Sequence, residues 1–175
     1  MTRQQFIELI ERDGKAVYSF CCMLTGCRED GEELYQETML SAVEHCRYID
    51  SSLNPKSYLM GTALKLYQAK RRKYLRRQSI APMGELTQDL ETVLGDDAPG
   101  PEEQTLKQEL SMAVRQEVQK LPEKLRVVVY LYYTAQLSLE EIAFNLHIPE
   151  GTVKSRLHKA RALLRKRLEA YGYEE

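Results

Sequence analysis

The sequence predicts an all-α protein of two small helical domains joined by a flexible acidic linker, with a helix-turn-helix in the carboxy-terminal domain. Three observations predict this fold. Apolar residues recur at helical spacing over most of the 175 residues, a segment rich in Pro, Gly and acidic residues interrupts that pattern, and two amphipathic helices separated by a short turn end the chain. We expect the domains to span residues 1–77 and 102–175, with the linker at 78–101.

The amino-terminal domain is predicted to contain three helices. Apolar residues near the amino terminus predict a first helix that ends near Gly26. Asp30 is expected to cap a second helix, which runs to about Tyr48 and begins with acidic residues, as the helix dipole favours. After turn residues at 49–55, a third helix is predicted over 56–77. Its apolar positions are Leu59, Ala63, Leu66 and Tyr67.

The formal net charge of −1 hides a division of charge along the chain. Residues 1–77 contain 13 Lys and Arg against 10 Asp and Glu, and residues 107–175 contain 12 against 9. Between them, residues 78–106 carry seven acidic residues and no basic ones. Two mildly basic domains therefore flank an acidic linker, so the overall charge does not argue against a polyanionic partner.

Two helices are predicted before the helix-turn-helix. The first covers 102–120, and the second starts at Pro122, whose missing N–H is not needed in a first helical turn. This second helix is expected to continue through Tyr133. Residues 127–133 have strand propensity, but an all-helical domain offers no partner strand, and tertiary context overrides propensity.

Residues 138–168 carry the pattern of a helix-turn-helix. Ser138 and Glu141 form the predicted capping box of its first helix. Residues 146–149 supply the turn, and Pro149 is suited to starting the second helix. The apolar stripe of that second helix runs through Val153, Leu157, Ala160, Leu164 and Leu168.

The other side of this second helix is strongly basic. No acidic residue occurs between Thr152 and Leu168, whereas seven Lys and Arg do. A merely solvated face normally mixes both signs of charge. A basic helix in this motif can instead present side chains to the major groove of DNA. We expect the contacts to come from residues off the apolar stripe: Thr152, Lys154, Ser155, Arg156, His158, Lys159 and Arg161.

Several other classes of protein do not fit the sequence. No apolar stretch is long enough to span a bilayer, and no secretory signal is present, so a cytoplasmic location without membrane insertion is expected. The sequence shows neither a nucleophile paired with a base nor a phosphate-binding loop, so an enzyme is not expected. Neither a cofactor nor a metal is expected. The cysteines match no usual zinc-ligand spacing and are interpreted as reduced, small buried apolar residues: Cys21, Cys22, Cys27 and Cys46.

Two stretches together resemble a known family. Residues 121–168, with Leu121-Pro122, Glu141-Ile142-Ala143 and the run GTVKSRL, closely resemble the fourth conserved region of bacterial RNA polymerase sigma factors. Residues 29–43, EDGEELYQETMLSAV, are similar to the second conserved region. With these two motifs in this order and only a linker between them, the chain resembles the extracytoplasmic-function group of the sigma-70 family over nearly its whole length.

The resemblance implies a dissociable subunit for transcription initiation rather than an enzyme. Its partners would be core RNA polymerase, through the beta and beta-prime subunits, and promoter DNA, with an anti-sigma factor as a further candidate. Glu33, Gln36 and Glu37 would bind polymerase, and the helix-turn-helix would read the minus-thirty-five element. Recognition and melting of the minus-ten element need stacking partners and cations, which would be Tyr48, Lys56, Tyr58, Lys65, Lys70, Arg71 and Arg72.

Some residues depart from the family pattern and concern promoter preference rather than class. His147 stands at a turn position that usually holds Gly, where a left-handed backbone would be strained for His. Tyr58 stands where many relatives carry Trp, and Lys65 and Ala69 stand where Asn and Asp are common.

The alternative function is a helix-turn-helix transcription regulator that binds operator DNA unaided, as a dimer, without being a polymerase subunit. Only the sigma-factor interpretation predicts a stoichiometric complex with core polymerase that forms without DNA.

Overall fold

The computed structural model describes residues 1–49, 54–80 and 103–169, apart from the side chains of 78–80 and 103–109. This part of the chain is helical almost throughout and contains no strand, which confirms the all-α prediction. Contacts between residues divide the chain into two units, Met1–Val93 and Leu94–Glu175. Except for 78–80, the predicted linker lies outside the described residues, and its boundaries remain a prediction.

The amino-terminal unit consists of three helices packed against one another: α1 (Arg3–Thr25), α2 (Arg28–Glu44) and α3 (Pro55–Ile80). As predicted, α1 ends before Gly26, which adopts the left-handed backbone (φ 76°) that favours glycine after a helix. Thr38 is the fully buried polar residue of α2, and its hydroxyl donates to the Leu34 carbonyl at 2.7 Å. The largest buried apolar side chains are Val17, Phe20, Leu34, Leu59, Met60 and Leu64.

The bounds predicted for α2 were wrong at both ends. Asp30 does not cap the helix: Cys27 precedes its first residue, and Asp30 lies within the first turn, where its charge still complements the helix dipole. The helix ends at Glu44, because the chain tightens into a 3-10 turn at Cys46–Tyr48. The next helix, α3, begins at Pro55, where the Asn54 side-chain oxygen accepts the N–H groups of the first turn.

Helices α1 and α2 meet closely at Gly31. A Cβ atom at this position would lie 2.6 Å from both Cα and Sγ of Cys22, so the contact requires a residue without a side chain.

Burial raises the pKa of the neighbouring Cys21 thiol to about 12. Cys21 and Cys22 are buried as expected, but Cys27 and Cys46 are only partly buried because they lie at the helix boundaries.

The carboxy-terminal unit contains α4 (Glu103–Gln119), α5 (Glu123–Val129), α6 (Leu139–Leu146) and α7 (Glu150–Glu169). Helix α5 starts directly after Pro122 and continues as a π-helical turn at Tyr130–Thr134. Residues 127–133 are thus helical despite their strand propensity, as predicted. Leu131, Ile142 and Val153 are fully buried at the centre of the unit, where they come from three different elements.

A buried carboxylate joins the first and last helices of this unit. Glu117 of α4 is 3% exposed, and its Oε1 lies 2.6 Å from the Lys120 ammonium. Its other oxygen lies 3.4 Å from the guanidinium of Arg167 near the end of α7. Because a buried charge needs partners, Arg167 stabilises the fold of the unit.

Within the described residues, no helix combines the length and the apolar composition that a membrane span requires.

Candidate nucleic-acid interface

The first helix of the helix-turn-helix begins as predicted. The Ser138 Oγ accepts from the Glu141 N–H at 3.1 Å, and a Glu141 carboxylate oxygen accepts from the Ser138 N–H at 2.7 Å. This reciprocal capping box satisfies two backbone donors that a helix start otherwise leaves unpaired. It therefore fixes where α6 starts and so where the turn after it falls.

The turn between α6 and α7 contains a strained residue. His147 has φ 53° and ψ 46°, the left-handed conformation expected if His replaces Gly here. Its ring packs near Phe144, with 6.5 Å between ring centroids. The Pro149 carbonyl then accepts from the Thr152 N–H at 2.9 Å, so Pro149 stands at the start of α7 as predicted.

Helix α7 buries one side and exposes the predicted contact residues on the other. Val153, Leu157 and Ala160 of the apolar stripe are buried, whereas Leu164 and Leu168 are only half-buried. Of the seven predicted contact residues, five are exposed and two are half-buried. The exposed ones are Lys154, Ser155, His158, Lys159 and Arg161, and the half-buried ones are Thr152 and Arg156.

Local contacts already engage some of these side chains. Lys154 pairs with Glu150 one turn earlier at 2.8 Å, a solvated pair that contributes little to stability. The Ser155 hydroxyl donates to the Thr152 carbonyl at 3.0 Å. Arg161 is held more firmly, because its Nε donates to the Tyr133 hydroxyl at 2.7 Å. Its guanidinium also lies 5.8 and 5.7 Å from the ring centroids of Tyr132 and Tyr133.

Sequence reasoning missed Tyr133 as a neighbour of the basic face. The signal in the sequence is a pair of adjacent tyrosines just before the helix-turn-helix. Their contact with a residue 28 positions later depends on how α7 crosses the π-helical turn, and a local pattern does not specify that crossing.

The residues predicted for the minus-ten element are spread over two elements. Tyr48 ends the 3-10 turn and is 86% exposed. Lys56 and Tyr58 lie in the first turn of α3, half-buried and 38% exposed respectively. The part of the predicted loop at 50–53 lies outside the described residues. The other predicted residues are exposed along α3: Lys65, Lys70, Arg71 and Arg72.

An ion pair joins the predicted minus-ten residues to the predicted polymerase-binding residues. The Lys70 ammonium lies 3.1 Å from a Glu33 oxygen and 3.0 Å from a Glu37 oxygen, which bridges α3 and α2. Burial lowers the pKa of Lys70, but the hydrogen bonds to Glu37 and Glu33 outweigh it, so the pKa is raised overall. Gln36 is exposed on the same helix as the two carboxylates.

Comparisons with known proteins match both units. The family model described as Sigma-70 region 2 matches residues 9–80, and the model described as Sigma-70, region 4 matches residues 111–164. The ECF RNA polymerase sigma factor SigW of Bacillus subtilis (strain 168) is 31% identical over 167 residues, which cover 93% of this chain and 88% of the relative. The ECF RNA polymerase sigma factor SigL of Mycobacterium tuberculosis (strain ATCC 25618 / H37Rv) is 28% identical over 170 residues, covering 94% and 89%.

Two solved structures share the fold at 20% identity. The sigma factor RpoE from Bartonella quintana, crystallised with the anti-sigma factor NepR, matches with a TM-score of 0.76 over 95% of this chain and 98% of that chain. CnrH, in complex with the cytosolic domain of CnrY, matches with a TM-score of 0.65 over 97% and 90%.

Proposed function

Since the chain belongs to the extracytoplasmic-function group of the sigma-70 family, we propose which promoter element each of its two units recognises. A sigma factor binds core RNA polymerase and directs it to promoter DNA, and this chain has that function. The comparisons do not favour the alternative, an operator-binding regulator that acts without polymerase. We further propose that the chain acts in the cytoplasm and carries no catalytic activity of its own.

The proposed polymerase-binding surface lies on α2. Glu33, Gln36 and Glu37 follow at the spacing that places residues on one side of a helix. Leu40 continues that side one turn later and is 62% exposed, so the acidic positions border an apolar one. A partner surface that combines cations with apolar side chains fits this arrangement, and we propose that the beta-prime subunit of core polymerase supplies it.

The proposed minus-ten surface combines stacking groups with cations. Tyr48 and Tyr58 expose their rings on either side of the segment at 50–53, and unstacked bases can stack on such rings. Exposed cations along α3 supply a track for the backbone of the opened strand. They are Lys65, Arg71 and Arg72, with Lys56 at the start of the helix, and Lys70, whose ammonium is also paired with Glu33 and Glu37.

The observation that supports duplex recognition is the exposed, basic side of α7. Lys154, Ser155, His158 and Lys159 are exposed beside the apolar stripe that fixes the helix to its unit. In a helix-turn-helix the second helix lies in the major groove and its first turns face base edges. We propose that α7 reads the minus-thirty-five element in this way.

An anti-sigma factor is a candidate further partner, because the similar sigma factor RpoE was crystallised with the anti-sigma factor NepR. We propose that such a protein would cover the polymerase-binding surface of α2. Competition between the antagonist and core polymerase for Glu33 and Glu37 would then keep the chain inactive.

Two measurements test the proposed division of work. The full chain is mixed with core polymerase without DNA, and a stoichiometric complex is expected by size exclusion. Run-off transcription on a promoter library should then depend on the chain. Glu33→Gln/Glu37→Gln should weaken the complex, whereas Lys159→Ala should leave the complex intact and reduce transcription. Loss of complex formation in Lys159→Ala, at an unchanged melting temperature, would contradict the assignment of the two surfaces.

A further inference from the structure

A tyrosine outside the helix-turn-helix lies beside its basic helix. Tyr133, in the π-helical turn Tyr130–Thr134, accepts the 2.7 Å hydrogen bond from Arg161 Nε. Tyr132 and Tyr133 pack edge to face, with 5.0 Å between ring centroids, and the Arg161 guanidinium lies near both rings. One hydrogen bond and two cation–π contacts therefore restrict the side chain of Arg161.

The position of Arg161 on α7 places this pair at one end of the proposed DNA-facing side. Lys154, His158 and Arg161 follow at i, i+4 and i+7, and so share one side of the helix. Seven residues of helix span about 10 Å, close to the major-groove width of about 12 Å. Because the first turns of a recognition helix face the bases, Arg161 and Tyr133 would lie where the helix leaves the groove, beside the sugar–phosphate backbone.

The phenol group of Tyr133 can donate a hydrogen bond to the sugar–phosphate backbone at this end of α7. A tyrosine hydroxyl both accepts and donates hydrogen bonds. The Arg161 N–H occupies an acceptor site on the oxygen, so the phenolic proton points to a different acceptor. Contact with the guanidinium also polarises the O–H group and strengthens it as a donor. Tyr133 is 53% exposed, so a phosphate oxygen can reach it.

We propose that Tyr133 donates a hydrogen bond to a backbone phosphate beside the minus-thirty-five element. Arg161 positions Tyr133 for this contact and does not read a base. The inference rests on the proposed function of α7. Phosphate contacts fix the register of a protein on DNA but carry no sequence information. The pair therefore adds affinity at every sequence, and base preference comes from residues nearer the start of α7.

The test uses the full chain assembled with core polymerase and a library of promoter duplexes randomised at the minus-thirty-five element. Tyr133→Phe keeps the ring and removes the hydroxyl, so we expect affinity to fall about 3- to 10-fold at all sequences while the preferred sequence stays the same. Arg161→Gln should give a similar loss. The double variant should be no weaker than the weaker single variant, because the two residues act as one unit.

A matched control is Tyr132→Phe, which removes a hydroxyl from the adjacent ring and keeps its packing on Arg161. Its affinity should equal that of the unaltered chain. The melting temperature of each variant chain is measured alongside, so that loss of folded protein is separated from loss of a DNA contact.

Several results would overturn the inference. A changed base preference in Arg161→Gln would make Arg161 a reader of bases. Losses that multiply in the double variant would make the two residues independent, and full affinity in Tyr133→Phe would remove the phosphate contact. If the unaltered holoenzyme selected no sequence, the proposed function of α7 would fail together with this inference. Selection by the unaltered holoenzyme together with unaffected variants would contradict the Tyr133 contact alone.

Discussion

The two units of this sigma factor place their charged side chains in different ways. In the amino-terminal unit Lys70 on α3 is neutralised by Glu33 and Glu37 on α2, so the predicted binding residues contact one another across helices. On α7 of the carboxy-terminal unit, Lys154 pairs with a residue of its own helix and Arg161 packs on aromatic rings. The first surface has mixed charge and suits a protein partner, whereas the second keeps a positive field that attracts a polyanion.

The largest predicted effect is a difference in stability between two Gly→Ala variants, one in each unit. Gly31→Ala would place a Cβ 2.6 Å from Cα and Sγ of Cys22 and 2.9 Å from its backbone N, so we expect a loss of about 3 kcal/mol in unfolding free energy. Gly151→Ala in α7 would meet nothing within 4 Å and should be neutral or stabilising by up to about 1 kcal/mol. Denaturant unfolding of both variants measures this difference. Equal stability of the two would contradict the close contact of α1 and α2.

The next effect concerns the basic face of α7. Lys159→Ala should weaken promoter binding by the holoenzyme and lower the slope of log affinity against log salt by about 0.9, as expected when one phosphate contact is lost. Lys124→Ala removes another exposed Lys side chain, from α5, and is the matched control. Salt titrations of both variants separate a specific contact from a general loss of charge. An equal change of slope in the two would argue against the assignment of α7.

A smaller effect is expected from the ion pair of the amino-terminal unit. Lys70 is 41% exposed, so Lys70→Gln should cost only about 0.2–1 kcal/mol, and less at high salt. Because the pKa of Lys70 is raised in the folded chain, its contribution is fully present below about pH 10.5 and is lost as pH rises through the folded-state value. Unfolding at pH 8 and pH 11 measures this, with the exposed Lys65→Gln as the control. The ion pair would have no energetic role if the two variants matched at both pH values.

The smallest effect is expected at the turn of the helix-turn-helix. His147→Gly removes a left-handed strain of about 1–2 kcal/mol but adds about 0.5–1 kcal/mol of unfolded-state entropy. We therefore expect the free energy of unfolding to rise by about 0.5 kcal/mol. His147→Val, which places a β-branched residue in the same backbone conformation, should shift the melting temperature in the opposite direction. A more stable Val variant would refute the left-handed geometry.

Local signals in the sequence predicted the features that local contacts determine. Ser138 and Glu141 predicted the start of α6, and Gly26 predicted the end of α1, because each such signal acts within one turn of helix. The bounds of α2 were missed because an acidic first turn is compatible with several starting residues. The pairs Lys70–Glu37 and Arg161–Tyr133 join residues 33 and 28 positions apart. They depend on how the helices pack, which the spacing of apolar residues does not specify.

The central claim, that the two units contact different promoter segments, is tested most directly by site-specific photocrosslinking in the assembled holoenzyme. A photoreactive amino acid replaces Tyr48 in one variant and Lys159 in another, and crosslinks are mapped on a promoter obtained from the library selection. Position 48 should crosslink to the opened strand near the start site, and position 159 to duplex more than two helical turns upstream. Crosslinks from both positions to the same segment would contradict the account.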